Sequence, residues 1–502
     1  MDATVLEGRG LSLRAALERH RFVGSSDIRV RSVAHDWRRC REGDLFVALS
    51  DLAGDSHDRA ARAVERGAAA VLTEAVLPLA VPQCVVPDTR EAYARLCMAL
   101  AGRPDRDLIT IGITGTAGKT TTSLLLASIL RTAGEAPSLL HDSELHWPAE
   151  FSRPVMQPGI AAHLRHLVET GQGPAIIEAN SRALAQRQLA GVELDVALIT
   201  NVRRDHLDLH HSTINYRRAK GRLLEQLKDD GLVIVNADDR YTCRLADESV
   251  FPVLRYGVHQ PADLTATVIE RDVAGQTFLL DAGEETHPVS VPVIGEWFVS
   301  DCLAAAAVAM ALGIELTTIV RGLERARHLP RRLERIECGQ PFSVYVDTAS
   351  TPETLASALK AVAEVSRGQV WCLFGPPPDR DPAQRPWLGR VAEQYADRAI
   401  VTRCEQDTTP PGCPFDEAHD VLDGYHRLAA GHVLPTRTAA MEWVLSEAAA
   451  GDSVLIAGSA DPLVYPETGE SDVEYVRELL YRQAGSVSAS PAVYRFCSSS
   501  PN

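Results

Sequence analysis

Several features are scarce in these 502 residues, and each absence narrows the function. Positive charge is outnumbered: 51 Lys and Arg stand against 67 Asp and Glu, a net charge of −16. That excludes an extended nucleic-acid surface, which needs clustered basic side chains. The ten cysteines are scattered and none forms a Cys-x-x-Cys pair, so neither a zinc site nor a disulfide framework is expected. The first twenty residues are charged and have no apolar core, so no signal peptide is expected. No apolar run reaches the length of a membrane span, and no internal repeat of fixed period is present. A cytoplasmic protein with no membrane or nucleic-acid partner is expected, and a monomer.

What is there is an apolar strand running into a glycine turn and a helix. Residues 108–122 read LITIGITGTAGKTTT. Leu108, Ile109, Ile111 and Ile113 supply the strand, Gly115 and Gly118 the turn, and Lys119, Thr120 and Thr121 the helix start. Such a turn aims backbone N–H groups at an anion, and the helix dipole adds positive charge. The lysine can reach outer phosphates and a threonine hydroxyl can sit on Mg²⁺. Five residues separate Gly112 from Gly118 where the usual phosphate loop has four, so this is the variant TGTxGKT. A bound nucleotide is expected, with Mg²⁺.

Length predicts more than one domain. Residues 1–103 read as a small α/β domain with strands near Arg29–Val33, Leu45–Leu49 and Ala69–Leu72, closing at Gly102-Arg103-Pro104. Residues 104–328 alternate strands (Pro174–Glu178, Asp195–Asn201, Gly231–Asn236) with helices, Tyr216–Leu227 among them. This order predicts a doubly wound, mostly parallel sheet, with ligands beyond the carboxyl ends of its strands. Strand-like patterns at 250–292 predict a hairpin extension. Residues 329–485 read as a third, Rossmann-like unit with strands at Phe342–Asp347, Val370–Phe374, Ala399–Thr402 and Ser453–Ala457, and 486–502 as an unstructured Ser- and Pro-rich tail.

Glu178, Asp205 and His206 fall at or just after strand ends, on the same edge as the phosphate loop. Each has a plainer reading. Glu178 alone is a solvated strand end, and Asp205-His206 a polar loop in which His210 and His211 leave a zinc reading open. On composition Lys220 is one lysine on an exposed amphipathic helix. Asp347 ends a strand before a helix start at Thr351-Pro352-Glu353, and Pro376–Asp381 is a rigid loop.

Taken in order, GITGTAGKTT, Glu178, TNVRRDHLDLH, YRRAK, RRLERI, VDTASTPETL and FGPPPDRD resemble the Mur ligase family. The likeness covers roughly residues 28–480 and is greatest to members that add the third amino acid to UDP-N-acetylmuramoyl-dipeptide; CREGDLFVALS is similar to their uridine-nucleotide domain. The resemblance implies a three-domain α/β ligase in which ATP phosphorylates a carboxylate and an amine attacks the acyl phosphate. It implies Lys119 on the β- and γ-phosphates and Mg²⁺ on Thr120, Glu178 and His206. It implies a carbamylated Lys220 as a further metal group, with Lys119, Lys220 and His206 the catalytic set. Gly115, Thr116, Gly118, Lys119, Thr120, Thr121, Asn201, Arg332 and Asp347 are implied as nucleotide neighbours. The implied partners are a UDP-linked muramyl peptide, or another carboxylate, and an amino acid.

The departures fall mainly on substrate recognition. Ala117 replaces a loop asparagine, and Met156-Gln157-Pro158 stands for Thr-Thr-Pro. Glu178-Ala179-Asn180-Ser181-Arg182 stands for EVSSH, Asp36-Trp37-Arg38 for DSR, and Asp347-Thr348-Ala349-Ser350-Thr351-Pro352 for DYAHTP. Pro377 and Pro378 replace glycines, Cys404-Glu405-Gln406-Asp407 replaces the DNPR that holds diaminopimelate, and Gly458-Ser459-Ala460-Asp461-Pro462 replaces GKGHE. Diaminopimelate is therefore not predicted as the amino acid. Two alternatives follow: a nucleotide-binding protein of this family that does not ligate, and a ligase of folylpolyglutamate or cyanophycin synthetase type.

Overall fold

The computed structural model describes residues 10–51, 54–141, 159–203, 205, 207–327, 329–376, 382–402, 416–426, 431–458 and 471–485. His206, Met156-Gln157-Pro158, Pro377 to Asp381, Cys404 to Asp407 and Ser459 to Pro462 lie outside them, as does the stretch expected to be a tail. Two compact units emerge: 1–267 with 280–287 and 300–326, and 268–279 with 288–299 and 327–502.

The first unit opens with a five-stranded sheet of β1 (Arg21–Val23), β2 (Val33–Ala34), β3 (Leu45–Val47), β4 (Ala70–Thr73) and β5 (Gln83–Val85), in the order β1-β5-β4-β3-β2. Only the β1–β5 pair is antiparallel. Helix α1 (Thr89–Leu100) starts where the Asp88 carboxylate accepts from the N–H groups of Arg90 and Glu91. It stops at Gly102 and Arg103, both left-handed, with Pro104 opening the next turn. The helix stop read in the sequence at Gly102 is thus present.

The same unit then builds a parallel sheet. Its strands are β6 (Thr110–Thr114), β7 (Ser138–Leu140), β8 (Ala175–Glu178), β9 (Leu194–Ile199), β10 (Leu227–Asn236) and β11 (Val253–Gly257). Strands β12 (Leu264–Asp272), β13 (Gly275–Ala282) and β14 (Glu285–Val291), parts of which belong to the second unit, follow along the chain, and the strand order is β7-β8-β6-β9-β10-β11-β12-β13-β14. Every residue of β6 and β8 is buried, as expected of parallel strands covered on both faces. The apolar cluster beneath β8 and β9 is continuous with that of the first sheet, from Leu13 through Tyr93 to Leu223. Helix α2 (Lys119–Thr132) follows the phosphate loop, and α3 (Thr213–Gly221) lies between β9 and β10. The helix expected over Tyr216–Leu227 ends earlier. Residues Arg222–Gln226 tighten to a 3₁₀ turn and Leu227 already pairs with Leu194 in the sheet. Helices α4 (Glu296–Ala311) and α5 (Leu316–Arg325) complete this stretch of chain.

The second unit has six strands: β15 (Glu334–Ile336), β16 (Ser343–Val346), β17 (Val370–Phe374), β18 (Arg398–Thr402), β19 (Gly431–Leu434) and β20 (Ser453–Ile456). They are ordered β15-β16-β20-β17-β18-β19, parallel except at the β15 edge. Helix α6 (Pro352–Val365) begins as expected: the Thr351 hydroxyl accepts from Thr354 N–H, with Pro352 in the first turn. Helices α7 (Arg385–Tyr395), α8 (Arg437–Glu447) and α9 (Asp472–Gly485) cover the sheet. Among the described residues no helix is long and apolar enough to cross a membrane.

Candidate active site

The carboxyl ends of β7, β8, β6 and β9 lie side by side, and the chain leaves them at His141, Glu178, Gly115 and Thr200. A parallel sheet leaves such an edge open for a ligand.

The loop between β6 and α2 admits only glycine at two positions. A Cβ on Gly115 would lie 1.8 Å from Thr200 Oγ1, and Gly118 has φ +85° with Asp301 Oδ1 2.2 Å from where its Cβ would be. Asn201 grips the loop: its amide accepts from Ala117 N–H and donates to Ala117 O, both at 3.0 Å, while its own carbonyl accepts from Thr116 N–H. The Thr200 hydroxyl donates to Ala117 O at 2.7 Å. The Thr116 hydroxyl pairs with Tyr216 OH at 2.8 Å and accepts from Arg203 N–H. So Thr116 and Asn201, expected beside a nucleotide, are engaged in shaping the loop. The first N–H groups of α2 have no acceptor within their helix and open at this edge.

Two lysines converge on one atom. Lys119 Nζ donates to Gly115 O at 3.1 Å and Lys220 Nζ to the same carbonyl at 2.6 Å. The exposed position read for Lys220 from composition is overturned: it is 1% exposed, with Nζ 5.0 Å from the centre of the Tyr216 ring. Tyr216 and Lys220 are four apart on α3, so one helical face carries both into the loop.

Glu178 also departs from its plainer reading. It is 1% exposed, and Oε2 accepts from the Thr120 hydroxyl at 2.9 Å. Its Oε1 accepts no hydrogen bond, yet His141 Nδ1 lies 3.2 Å away. Thr121 and Asp205 are buried nearby in the chain. His210 is held between the Ser181 hydroxyl (2.9 Å) and the edge of the Tyr216 ring, and among the described residues no group of three or more His, Cys, Asp and Glu could hold a metal. The zinc reading gains nothing from this arrangement.

Several contributors escaped the sequence reading. Asp239 caps the helix at Arg240–Asp247 and accepts from Val202 N–H, fixing the turn after Asn201. Burial pushes the Tyr256 hydroxyl well above its ordinary value, and the Asp301 carboxylate adds to the shift. Only the Tyr216–Lys220 spacing left a trace in the sequence; Thr200, Asp239, Asp301 and His141 left none.

In the second unit the structure brings Arg332 and Asp347 together. Asp347 is half-buried; its carboxylate accepts from Leu333 N–H at 2.8 Å and Ala349 N–H at 2.7 Å. Burial raises its pKa, and the Arg332 guanidinium and these N–H groups pull the other way. Arg331 and Leu333 both have positive φ (54° and 45°), so the carboxylate stabilises a turn that L side chains seldom adopt. Arg332 hydrogen-bonds the Thr348 hydroxyl and Arg331 O.

Comparison with known proteins identifies the family of the chain. The Mur ligase middle domain matches residues 113–309, and the Mur ligase, glutamate ligase domain matches residues 331–460. The chain is 34% identical over 464 residues to the UDP-N-acetylmuramoyl-L-alanyl-D-glutamate–2,6-diaminopimelate ligase of Geobacillus kaustophilus (strain HTA426), covering 89% of this chain and 93% of that one. The chain belongs to the Mur ligase family. The Halalkalibacterium halodurans ligase of the same name is 32% identical, covering 94% and 98% of the two chains. A solved structure of a ligase with that name superposes with a TM-score of 0.66 at 26% identity, covering 95% of this chain and 99% of that one. The MurF ligase of Thermotoga maritima in complex with ADP shares the fold, with a TM-score of 0.60 at 16% identity, covering 91% and 99%. Relative to the Mur ligase pattern, Asn180 caps the short helix Ser181–Ala185 by accepting from Ala183 N–H. Trp37 lies beneath the Arg38 and Arg62 guanidinium groups.

Proposed function

We propose that this Mur ligase joins a carboxylate to an amine at the expense of ATP, adding an amino acid to a UDP-N-acetylmuramoyl-dipeptide in the making of peptidoglycan precursor. The observation that carries the reading is the convergence of Lys119, Lys220, Thr120 and Glu178 on one phosphate loop. Lys119 brings an ammonium group to the loop, and a polyphosphate beside it would answer that charge. The N–H groups at the start of α2 and Lys119 would hold the β- and γ-phosphates as charge builds on the transferring group. Holding the acyl phosphate and the amine in line then removes the entropy cost of their meeting. Thr121 adds to the first turn of α2, and Arg332 and Asp347 are assigned to the nucleotide.

The Mg²⁺ that the family uses is tested by the chemistry of the donors. A buried carboxylate with one oxygen accepting nothing, beside a threonine hydroxyl, is an oxygen-rich setting of the kind a hard cation takes. Thr120 and Glu178 would hold it, His206 would serve a second position, and Lys220, once carbamylated, would add an anionic oxygen. Bound there, Mg²⁺ would neutralise charge on the phosphoryl group being transferred.

Residues 1–103, 104–328 and 329–485 are proposed as the uridine-nucleotide-type, ATP-binding and C-terminal ligase domains, with 486–502 as a tail. A monomer acting in the cytoplasm is the proposed setting. The test is release of ADP and phosphate by purified protein given UDP-muramyl precursors and a panel of amino acids, diaminopimelate included. Turnover that needs both an acceptor nucleotide and an amino acid is expected. The changes at Asp36-Trp37-Arg38 and Cys404–Asp407 favour a second reading, a nucleotide binder that does not ligate. ATP binding with no amine-dependent turnover, indifferent to Lys220→Ala, would establish that reading instead.

A further inference from the structure

We infer that His141 Nδ1 is a direct ligand of the divalent cation at Glu178, and that this nitrogen shifts the site from Mg²⁺ toward transition ions such as Mn²⁺. The inference rests on the reading that Glu178 and Thr120 hold the cation.

The placement comes from strand register. Strand β7 is the sheet edge and runs parallel to β8, with Leu140 opposite Ile177. The next residue along each chain is His141, just past the end of β7, and Glu178, the last of β8, so both stand at the same edge of the sheet. His141 Nδ1 and Glu178 Oε1 are 3.2 Å apart. Two ligands at right angles on one ion, each about 2.0–2.2 Å from it, are separated by about 3 Å. The carboxylate is almost wholly buried while the imidazole beside it is 44% exposed. Apart from this contact with His141, Oε1 accepts no hydrogen bond from the described residues. On the other side Thr120 already occupies Oε2, which leaves Oε1 as the oxygen turned to the histidine.

The ligand set decides the metal. Mg²⁺ prefers oxygen and water, whereas imidazole raises affinity for later first-row ions. An imidazole here therefore favours Mn²⁺ over Mg²⁺ relative to an all-oxygen site.

The experiment uses the full-length protein with ADP and no acceptor or amino acid. Mn²⁺ is titrated by electron paramagnetic resonance, and spin-echo modulation reads nitrogen bound to the ion. In the wild type a ¹⁴N coupling is expected, and it should survive in His206→Gln. His141→Gln should abolish it, weaken Mn²⁺ binding about tenfold or more, and weaken Mg²⁺ binding, measured by competition, less than about threefold. An unchanged thermal midpoint shows that the variant folds. A nitrogen signal absent from the Mn²⁺-loaded wild type overturns the inference. So does one that persists in His141→Gln, or a loss of Mn²⁺ affinity equal to that for Mg²⁺. Those results leave the Glu178 site standing. Mn²⁺ held no more tightly by protein with ADP than by ADP alone, and unaffected by Glu178→Gln, would overturn the metal site and the inference with it.

Discussion

Gly118 occupies a position in the phosphate loop that only glycine fits. Its φ of +85° costs an L residue about 1–2 kcal/mol, and Asp301 fills the space a Cβ would need. Gly118→Ala is expected to lower the thermal midpoint and to abolish ADP binding in calorimetry. Asn201 carries a lighter load. Asn201→Ala removes both amide contacts to Ala117, each worth about 1 kcal/mol net, and should weaken ADP about five- to tenfold without unfolding the protein. Lys119→Ala should cut amine-dependent phosphate release at least about a hundredfold, the scale of losing one preorganised donor to a developing charge. Asp347 titrates out of step with the unfolded chain. Its pKa is raised in the folded protein, chiefly by burial. Its proton therefore favours folding below the ordinary carboxyl range, and that contribution is lost as pH rises through the folded value. The stability difference between wild type and Asp347→Asn, followed by urea denaturation, should move against the wild type from pH 4 upward. A flat difference would show that the carboxyl carries no such linkage.

At the scale of elements, two joints are set by single residues. Helices α2 and α5 meet where a Cβ on Gly322 would lie 2.4 Å from Ile129 Cα, and the Ser128 hydroxyl donates to Gly322 O at 2.6 Å. Gly322→Val should push the helices apart and destabilise the first unit by about 1–3 kcal/mol, read from the denaturation midpoint. In the second unit α8 and α9 are joined by a buried pair. Arg437 and Asp472 are 3% and 0% exposed, and Arg437 also donates to Ala457 O after β20. Asp472→Ala strands the guanidinium and should cost about 3–5 kcal/mol, whereas Arg437→Met with Asp472→Leu should cost markedly less.

At the scale of the whole molecule, ligand binding is linked to stability. A ligand at one hundred times its dissociation constant stabilises by about 2.7 kcal/mol. ATP with Mg²⁺ should therefore raise the thermal midpoint, and a chelator should remove most of the gain. The elements themselves were readable because their signals are local: an apolar run bounded by Gly115, a cap at Thr351, a stop at Gly102. The short strand β7 and the edge strand β15 went unread because three residues carry too little pattern to register.

The sequence by itself determined the chemistry on offer: a phosphate loop, a lysine and threonine at a helix start, a glutamate closing a strand, and the order of strands and helices. Those depend on neighbours a few residues apart. The tertiary structure decided what each side chain does. Lys220 reaches Gly115 across 105 positions and Thr116 meets Tyr216 across 100. Burial and charge pairing are properties of packed neighbours, not of spacing along the chain. For that reason composition alone read Lys220 as an exposed lysine where the fold buries it at the loop, and His141 had no meaning until parallel register set it beside Glu178.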